Sequence, residues 1–274
     1  MADENERPIL EFDRVTVAFE GELALDDVSF VVPKGETRVI FGAAGSGKTV
    51  LIKTALGLVR PDSGRVVVFG DDITRMRERD LFAIRSKIGV LFQEGGLFDS
   101  LTIEENVGYP LVNLGGFELP PEEVRSRAEE ALRFVELEHT LDKFPSELSG
   151  GMRRRVGIAR AVVTEPPLVL YDSPTAGLDP ITSYTIITLV MKERELKNTT
   201  TLMVTHRFQD GHLLATAKFD TESGLPRPVP PNEIEEIRTK FLVLREGRLV
   251  FEGTLAELEA STDSYIQKFV RREE

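Results

Sequence analysis

Residues 37–58 read TRVIFGAAGSGKTVLIKTALGL. A short run of β-branched and aromatic residues, Thr37–Phe41, enters a glycine-rich turn, and a helical pattern leaves it from Lys48 to Leu58. The turn GAAGSGKT, Gly42–Thr49, fits G-x-x-x-x-G-K-[ST] in full, in the context of strand before and helix after. Gly42, Gly45 and Gly47 let backbone N–H groups turn inward toward a polyphosphate, and the helix N-terminus near Lys48 adds partial positive charge. Lys48 is the candidate ligand of the β- and γ-phosphates and Thr49 of Mg²⁺, with Ser46 and Val50 completing the phosphate-binding stretch. A nucleotide polyphosphate with Mg²⁺ is therefore the expected ligand.

Upstream, apolar runs at Ile9–Phe19 and Val28–Pro33 predict strands. Downstream, strand, helix and strand are expected at Arg65–Phe69, Arg77–Arg85 and Ile88–Phe92. Residues 94–165 change character: helical periodicity dominates, as at Pro121–Glu136 and Gly151–Val163, and strand signals stop. From Pro167 the alternation resumes with Leu168–Tyr171, Ile181–Leu196, Thr200–Val204 and Arg207–Ala217. This predicts a nucleotide-binding α/β core split into 1–93 and 166–274, with a helical subdomain at 94–165. Residues 218–238 collect Gly224, Pro226, Pro228, Pro230 and Pro231 and read as a loop inserted in the core. A hairpin with Glu246-Gly247 at its turn follows.

Composition narrows the function. The 274 residues carry 34 basic against 46 acidic side chains, a net charge of −12, which argues against nucleic acid as a partner. Without cysteine there is no disulfide framework, thiolate zinc site or cysteine nucleophile, and only His139, His206 and His212 remain for histidine chemistry. No window approaches the roughly 18 apolar residues of a membrane-spanning helix. The opening MADENERPIL lacks the cationic and apolar regions of a secretory signal. A membrane role is expected to come through a partner.

Two further elements stand in the second half of the pattern. LVLYDSP is an apolar strand ending in Asp172, the position of a second magnesium anchor. Before it lies LSGGM, Leu148–Met152, opening an arginine-rich helix. A P-loop followed by LSGG and then this aspartate resembles the ATP-binding cassette ATPases, over nearly the whole chain. The resemblance implies an α/β fold: a P-loop (RecA-like) core with an antiparallel β-subdomain and an inserted α-helical subdomain. It also implies a homodimer with two ATPs sandwiched between P-loop and LSGG, so that Ser149, Gly150 and Gly151 meet the γ-phosphate held by the other subunit. Phe19, 23 residues before Gly42, matches the aromatic that stacks on adenine, though an aromatic closing a strand also suits a core. Gln93 matches the glutamine that touches Mg²⁺ and the attacking water; Asp179, in AGLDP, matches an aspartate crossing the dimer interface. His206 matches the histidine that contacts the γ-phosphate.

One departure matters. The family usually ends this strand in Asp-Glu-Pro, the glutamate polarising the attacking water; here the residues are Asp172-Ser173-Pro174. A serine hydroxyl accepts no proton usefully near neutral pH. Three readings stay open: slow hydrolysis assisted by His206 and Gln93, a carboxylate from elsewhere, or ATP-dependent dimerisation and assembly with little turnover. The first is favoured, because positioning and electrostatics carry much of phosphoryl transfer. Finally, GVLFQEGGLFDSLTIEENVGYPL resembles the corresponding stretch of cassettes that serve MCE-type lipid transporters. That likeness implies phospholipid-type cargo, MCE-type and small accessory proteins as partners, and a peripheral position on the cytoplasmic face of the membrane. Leu97, Phe98 and Leu101 would form the apolar socket for a transmembrane permease subunit, though internal packing of the helical subdomain also suits some of them.

Overall fold

The computed structural model describes residues 7–93, 95–114 and 119–270. They divide into two compact units, Met1–Arg77 with Thr200–Glu274, and Glu78–Thr199. In chain order the first unit contributes β1 (Leu10–Phe19), β2 (Glu22–Val32), β3 (Thr37–Phe41), α1 (Lys48–Ala55), β4 (Ser63–Val68) and β5 (Asp71–Asp72). The second holds α2 (Glu78–Arg85), β6 (Ile88–Leu91), α3 (Ile103–Asn113), α4 (Pro121–Phe134), α5 (Gly150–Val162), β7 (Leu168–Asp172) and α6 (Pro180–Lys197). The chain then re-enters the first unit with β8 (Thr200–Thr205), α7 (Phe208–Thr216), β9 (Ala217–Asp220) and β10 (Leu225–Pro228). It closes that unit with β11 (Thr239–Arg245), β12 (Arg248–Gly253), α8 (Leu255–Glu259) and α9 (Ser264–Val270).

In the first unit β1, β2, β4 and β5 form an antiparallel sheet in the order β2-β1-β4-β5. Glu20 and Gly21 both have positive φ (52° and 90°) between the paired Phe19 and Glu22, the two-residue turn whose twist suits a hairpin. This starts β2 at Glu22, well before the Val28 that the apolar run marks. A register shift after Phe12, with Arg14 at φ 49°, lets both Phe12 and Val15 face inward; Phe12 stacks on Phe30 at 4.9 Å.

The other strands of this unit carry the P-loop. β3 runs parallel to β11 on one side and β8 on the other, and β12 pairs antiparallel with β11. All five β3 residues are buried, which explains a continuous apolar run in place of alternation. The β11–β12 turn at Glu246-Gly247 is as expected.

The Pro-rich 218–238 segment is not an irregular loop. β9 and β10 pair antiparallel, with Gly224 at φ 72° in the turn, and a 3₁₀ helix spans Pro231–Ile237. Prolines fit because a two-stranded ribbon leaves backbone edges where their missing N–H is not needed, and Pro231 occupies the first helical position.

In the second unit the described residues of the 94–165 stretch form only helical elements, but the compact unit is wider, taking in α2, β6, β7 and α6. β6 and β7 pair in parallel and α5 packs on both β6 and α6, so these flanking elements cohere with the helices. Helix α3 begins with a reciprocal cap: Thr102 Oγ1 accepts the Glu105 amide at 3.2 Å and the Thr102 amide donates to Glu105 Oε2 at 2.7 Å.

Candidate nucleotide site

The cradle at Gly42–Thr49 is shaped by its glycines. Gly45 and Gly47 lie at φ 77° and 100°, where an L side chain is strained, and a Cβ on Gly47 would overlap the carbonyl oxygen of Ala24. A Cβ on Gly42 would come within 2.6 Å of the Leu244 carbonyl oxygen. The loop is tied to the β11–β12 turn by the Gly247 amide, which donates to Ser46 O at 3.3 Å. Ser46 is buried, while Thr49 is exposed and Val50 half-buried. Lys48 Nζ donates to Gly42 O at 2.7 Å and Ala43 O at 2.8 Å. Gly47 caps α1 without a side-chain bond, and no acidic residue stands in its first turn, so positive potential at this helix end is not cancelled locally.

His206 belongs to the same unit. Phe41 pairs with Thr205, so Gly42 and His206 leave neighbouring parallel strands at one level. Thr205 Oγ1 accepts the Arg207 amide at 3.1 Å and donates to Asp210 Oδ2 at 3.2 Å, fixing the turn that exposes His206. Phe19 ends β1 with its side chain half in solvent, 50% exposed, so it is not a core residue.

The second unit places its residues by the same rule. Leu91 pairs with Tyr171, so Gln93 and Asp172 leave the adjacent ends of β6 and β7; Gln93 is exposed and Asp172 buried. Ser173 sits at φ 51° with its hydroxyl donating to Asp172 Oδ1 at 3.2 Å. Its carbonyl accepts from the Ala176 amide at 3.1 Å and from Arg154 at 3.2 Å; the same guanidinium reaches Ala176 O at 3.2 Å. Arg154, buried on α5, thus ties the helix that begins at the LSGG segment to the turn carrying Ser173.

Ser149 is the N-cap of α5, its Oγ accepting the Met152 amide at 3.2 Å. Gly150 has ordinary negative φ, and a Cβ there would meet nothing within 4 Å, whereas one on Gly151 would touch Thr182. The fold itself therefore does not require glycine at 150, and its value is an open backbone face at a helix N-terminus. Asp179 caps α6: one oxygen accepts the Ile181 and Thr182 amides at 3.0 Å each, the other the Thr182 hydroxyl at 2.6 Å. Its hydrogen bonds, the Thr182 hydroxyl first, hold its carboxyl below the usual range.

Two residues that the sequence reading passed over hold the stretch after Gln93. Arg160 donates to Gly96 O at 2.7 Å and Gly95 O at 2.8 Å. Buried Asn106 accepts the Phe98 amide at 2.7 Å and donates to the carbonyls of Phe98, Leu101 and Thr102. Phe98 stays 42% exposed and packs on Tyr109 with ring centroids 4.6 Å apart, and Leu97 and Leu101 are half-buried. Arg160 and Asn106 carried a signal, polar side chains at helix positions among buried apolar ones.

As to magnesium, Thr49, Asp172 and Gln93 offer hard oxygen donors, the type that Mg²⁺ takes, and Mg²⁺ on a nucleotide needs only one or two protein ligands. Among the described residues no group of three His, Cys, Asp or Glu side chains stands ready to hold a metal without a nucleotide. No helix among them is long and apolar enough to cross a membrane.

Known proteins place the chain in a family. The family model for ABC transporters matches residues 25–176, more than half of the chain. The methionine import ATP-binding protein MetN of Carboxydothermus hydrogenoformans is 37% identical over 235 residues, covering 86% of this chain and 62% of that protein. The probable ribonucleotide transport ATP-binding protein mkl of Mycobacterium tuberculosis is 38% identical over 197 residues, covering 72% and 54%. The chain thus spans little more than half the length of these relatives. The ATP-binding cassette MJ0796, solved as a dimer bound to ADP and Pi in a post-hydrolysis state, superposes with a TM-score of 0.74 at 30% identity, covering 90% of this chain and 98% of that one. cbiO1 from Clostridium perfringens, part of the ABC transporter complex cbiONQ, also gives 0.74, at 28% identity and with 98% and 96% covered. With a complete P-loop on one unit and the LSGG helix and Asp172 strand on the other, the chain belongs to the ABC transporter family, as one of its ATP-binding cassettes.

Proposed function

We propose that the chain binds and hydrolyses ATP to drive a membrane transporter, as a homodimer bound to a transmembrane permease subunit on the cytoplasmic face of the membrane. The observation that carries this reading is the cradle: three glycines, Lys48 and an uncapped helix start, set where a strand ends. Lys48 and the loop amides take the phosphates, Phe19 stacks on the base, and Thr49, Asp172 and Gln93 serve magnesium. Bound Mg²⁺ supplies charge neutralisation at the phosphates. His206 and Gln93 orient the γ-phosphate and the water, and the partner subunit's copy of the Ser149–Gly151 segment offers a hydroxyl, amides and a helix dipole to the same phosphate. Asp179 lines the dimer interface from the start of α6.

The cargo is proposed to be a phospholipid-type lipid, with MCE-type and small accessory proteins in the complex. This rests on the likeness of residues 89–111, where Arg160 and Asn106 hold the exposed Phe98 ready for a helix of the permease. The curated relatives carry methionine and ribonucleotide names instead. Affinity purification from the native membrane, followed by identification of bound proteins and lipids, decides it: a permease with co-purifying lipid supports the proposal, and a methionine-binding partner overturns the cargo.

A second reading has one specific support. Ser173 stands where the family's glutamate usually does, and a site that closes on ATP without cycling would serve as an assembly switch. Steady-state ATP turnover of the complex with its permease separates the two readings: sustained turnover excludes the switch.

A further inference from the structure

Helix α9 packs against the P-loop of its own unit. Asp263 Oδ1 caps it by accepting the Tyr265 and Ile266 amides at 2.7 and 3.1 Å. Ile266 is buried, Phe269 stacks on Phe41 with centroids 6.0 Å apart, and Tyr265 meets Phe269 edge-on at 5.3 Å. The Arg245 guanidinium lies 5.2 Å over the Tyr265 ring. This packing sets the tyrosine hydroxyl between two backbone groups: it donates to Leu244 O at 3.1 Å and accepts the Ala43 amide at 3.0 Å.

The Ala43 amide belongs to the peptide group that joins Gly42 to Ala43. The carbonyl of that same peptide, Gly42 O, accepts Lys48 Nζ at 2.7 Å. One rigid plane is therefore held at its N–H by Tyr265 and at its C=O by the phosphate-binding lysine. Rotation of this plane moves the oxygen that holds Lys48. The corner is tight: a side chain at position 42 would have no room, since a Cβ there would lie 2.6 Å from Leu244 O, the other partner of the tyrosine hydroxyl.

We propose that Tyr265 is a positioning residue for the nucleotide site: its hydroxyl fixes the Gly42–Ala43 peptide and through it presets Lys48 for phosphate. The inference rests on the nucleotide-binding reading above. Because the hydroxyl presets Lys48 before phosphate arrives, the effect is expected on affinity more than on the chemical step.

The test is Tyr265→Phe in the full chain, which keeps the ring and its packing and removes only the oxygen. ATP binding by calorimetry should weaken about 3- to 10-fold, the size of one lost hydrogen bond. In the complex with its permease, KM for ATP should rise by a similar factor with kcat within about 2-fold of wild type. Hydrogen exchange of the peptide containing Ala43, measured without nucleotide, should be faster in the variant. Wild-type affinity together with wild-type exchange in Tyr265→Phe overturns the proposal. Tyr265→Leu separates packing from the hydroxyl: a loss in Leu with none in Phe assigns the tyrosine to packing and likewise overturns it. If the wild type itself binds no ATP, the nucleotide reading fails, while the exchange measurement still decides whether the hydroxyl tethers the loop.

Discussion

The two compact units carry functional residues in different currencies. In the first, the groups proposed to meet phosphate are backbone amides, a helix end and one lysine, all within Gly42–Thr49. In the second, the groups at the strand ends are the side chains of Gln93, Asp172 and Ser173. Backbone chemistry imposes a sequence, because only glycine adopts φ 100° against Ala24 at position 47. Side-chain chemistry imposes less: β7 and its turn fold with serine at 173, and a missing carboxylate would be felt in the proposed reaction. The same turn geometry is held by Arg154 through the carbonyl oxygens of Ser173 and Ala176, backbone groups that do not depend on the side chain at 173.

The largest expected effect breaks the first unit. Lys48→Ala should weaken ATP binding by more than about 100-fold, because charge-assisted bonds to phosphate are worth roughly 1.5–3 kcal/mol each. The melting temperature should hold within a few degrees, since a partly exposed side chain at the start of α1 and no core volume is lost. Labelled-ATP binding near wild type would remove the phosphate cradle as the site.

Ser149→Arg attacks the second unit. It puts a long cation where the partner's nucleotide is proposed to close and leaves the monomer's own P-loop untouched. Turnover should fall to background while ATP affinity of the monomer stays; ATP-dependent dimerisation unchanged by light scattering would refute the closure.

Ser173→Glu sharpens the comparison by restoring the carboxylate. A well-placed general base is worth about 10²- to 10⁴-fold, and single-turnover hydrolysis in the presence of the permease should rise within that range, less if a transport step limits the cycle. ATP affinity should change little. Rapid wild-type turnover with a neutral or harmful Ser173→Glu would mean that another group supplies the base.

What the sequence made legible follows the same division. The P-loop with its flanking strand and helix was readable because it is a local pattern that backbone geometry demands, whereas the LSGG–Asp172 order was readable only through the family resemblance. The 218–238 segment was not: proline and glycine report that regular elements are broken, and carry little about the short ribbon and 3₁₀ helix that fit between the breaks. Tyr265 was out of reach because its partner amide is 222 residues away and no local periodicity encodes that contact. Arg154 lay within reach, since it shares a helix face with Ile158 at i, i+4, a buried row in which an arginine must find acceptors.

The smallest effect probes how the second unit tolerates a buried charge beside β7. Glu193, on α6, is almost fully buried, and burial raises its carboxyl above the usual range despite the Thr199 hydroxyl, which donates to it at 3.0 Å. Tyr171 of β7 is fully buried with no hydrogen-bond partner for its hydroxyl; burial first, then the charge of Glu193, raises that hydroxyl. A folded carboxyl that keeps its proton longer than the unfolded one makes stability fall as pH rises from the unfolded value of about 4.3 through the raised folded value. Above that window the loss is complete and constant. Glu193→Gln keeps the acceptor for Thr199 and cannot ionise, so its stability lacks this fall. The difference in melting temperature, variant minus wild type, should be near zero or negative at pH 4 and become positive by pH 8. Each 1 kcal/mol recovered corresponds to about 2–4 °C. Scanning fluorimetry from pH 4 to 8 measures it, and a difference that does not change with pH would mean that Glu193 ionises in the folded unit as easily as in the unfolded chain.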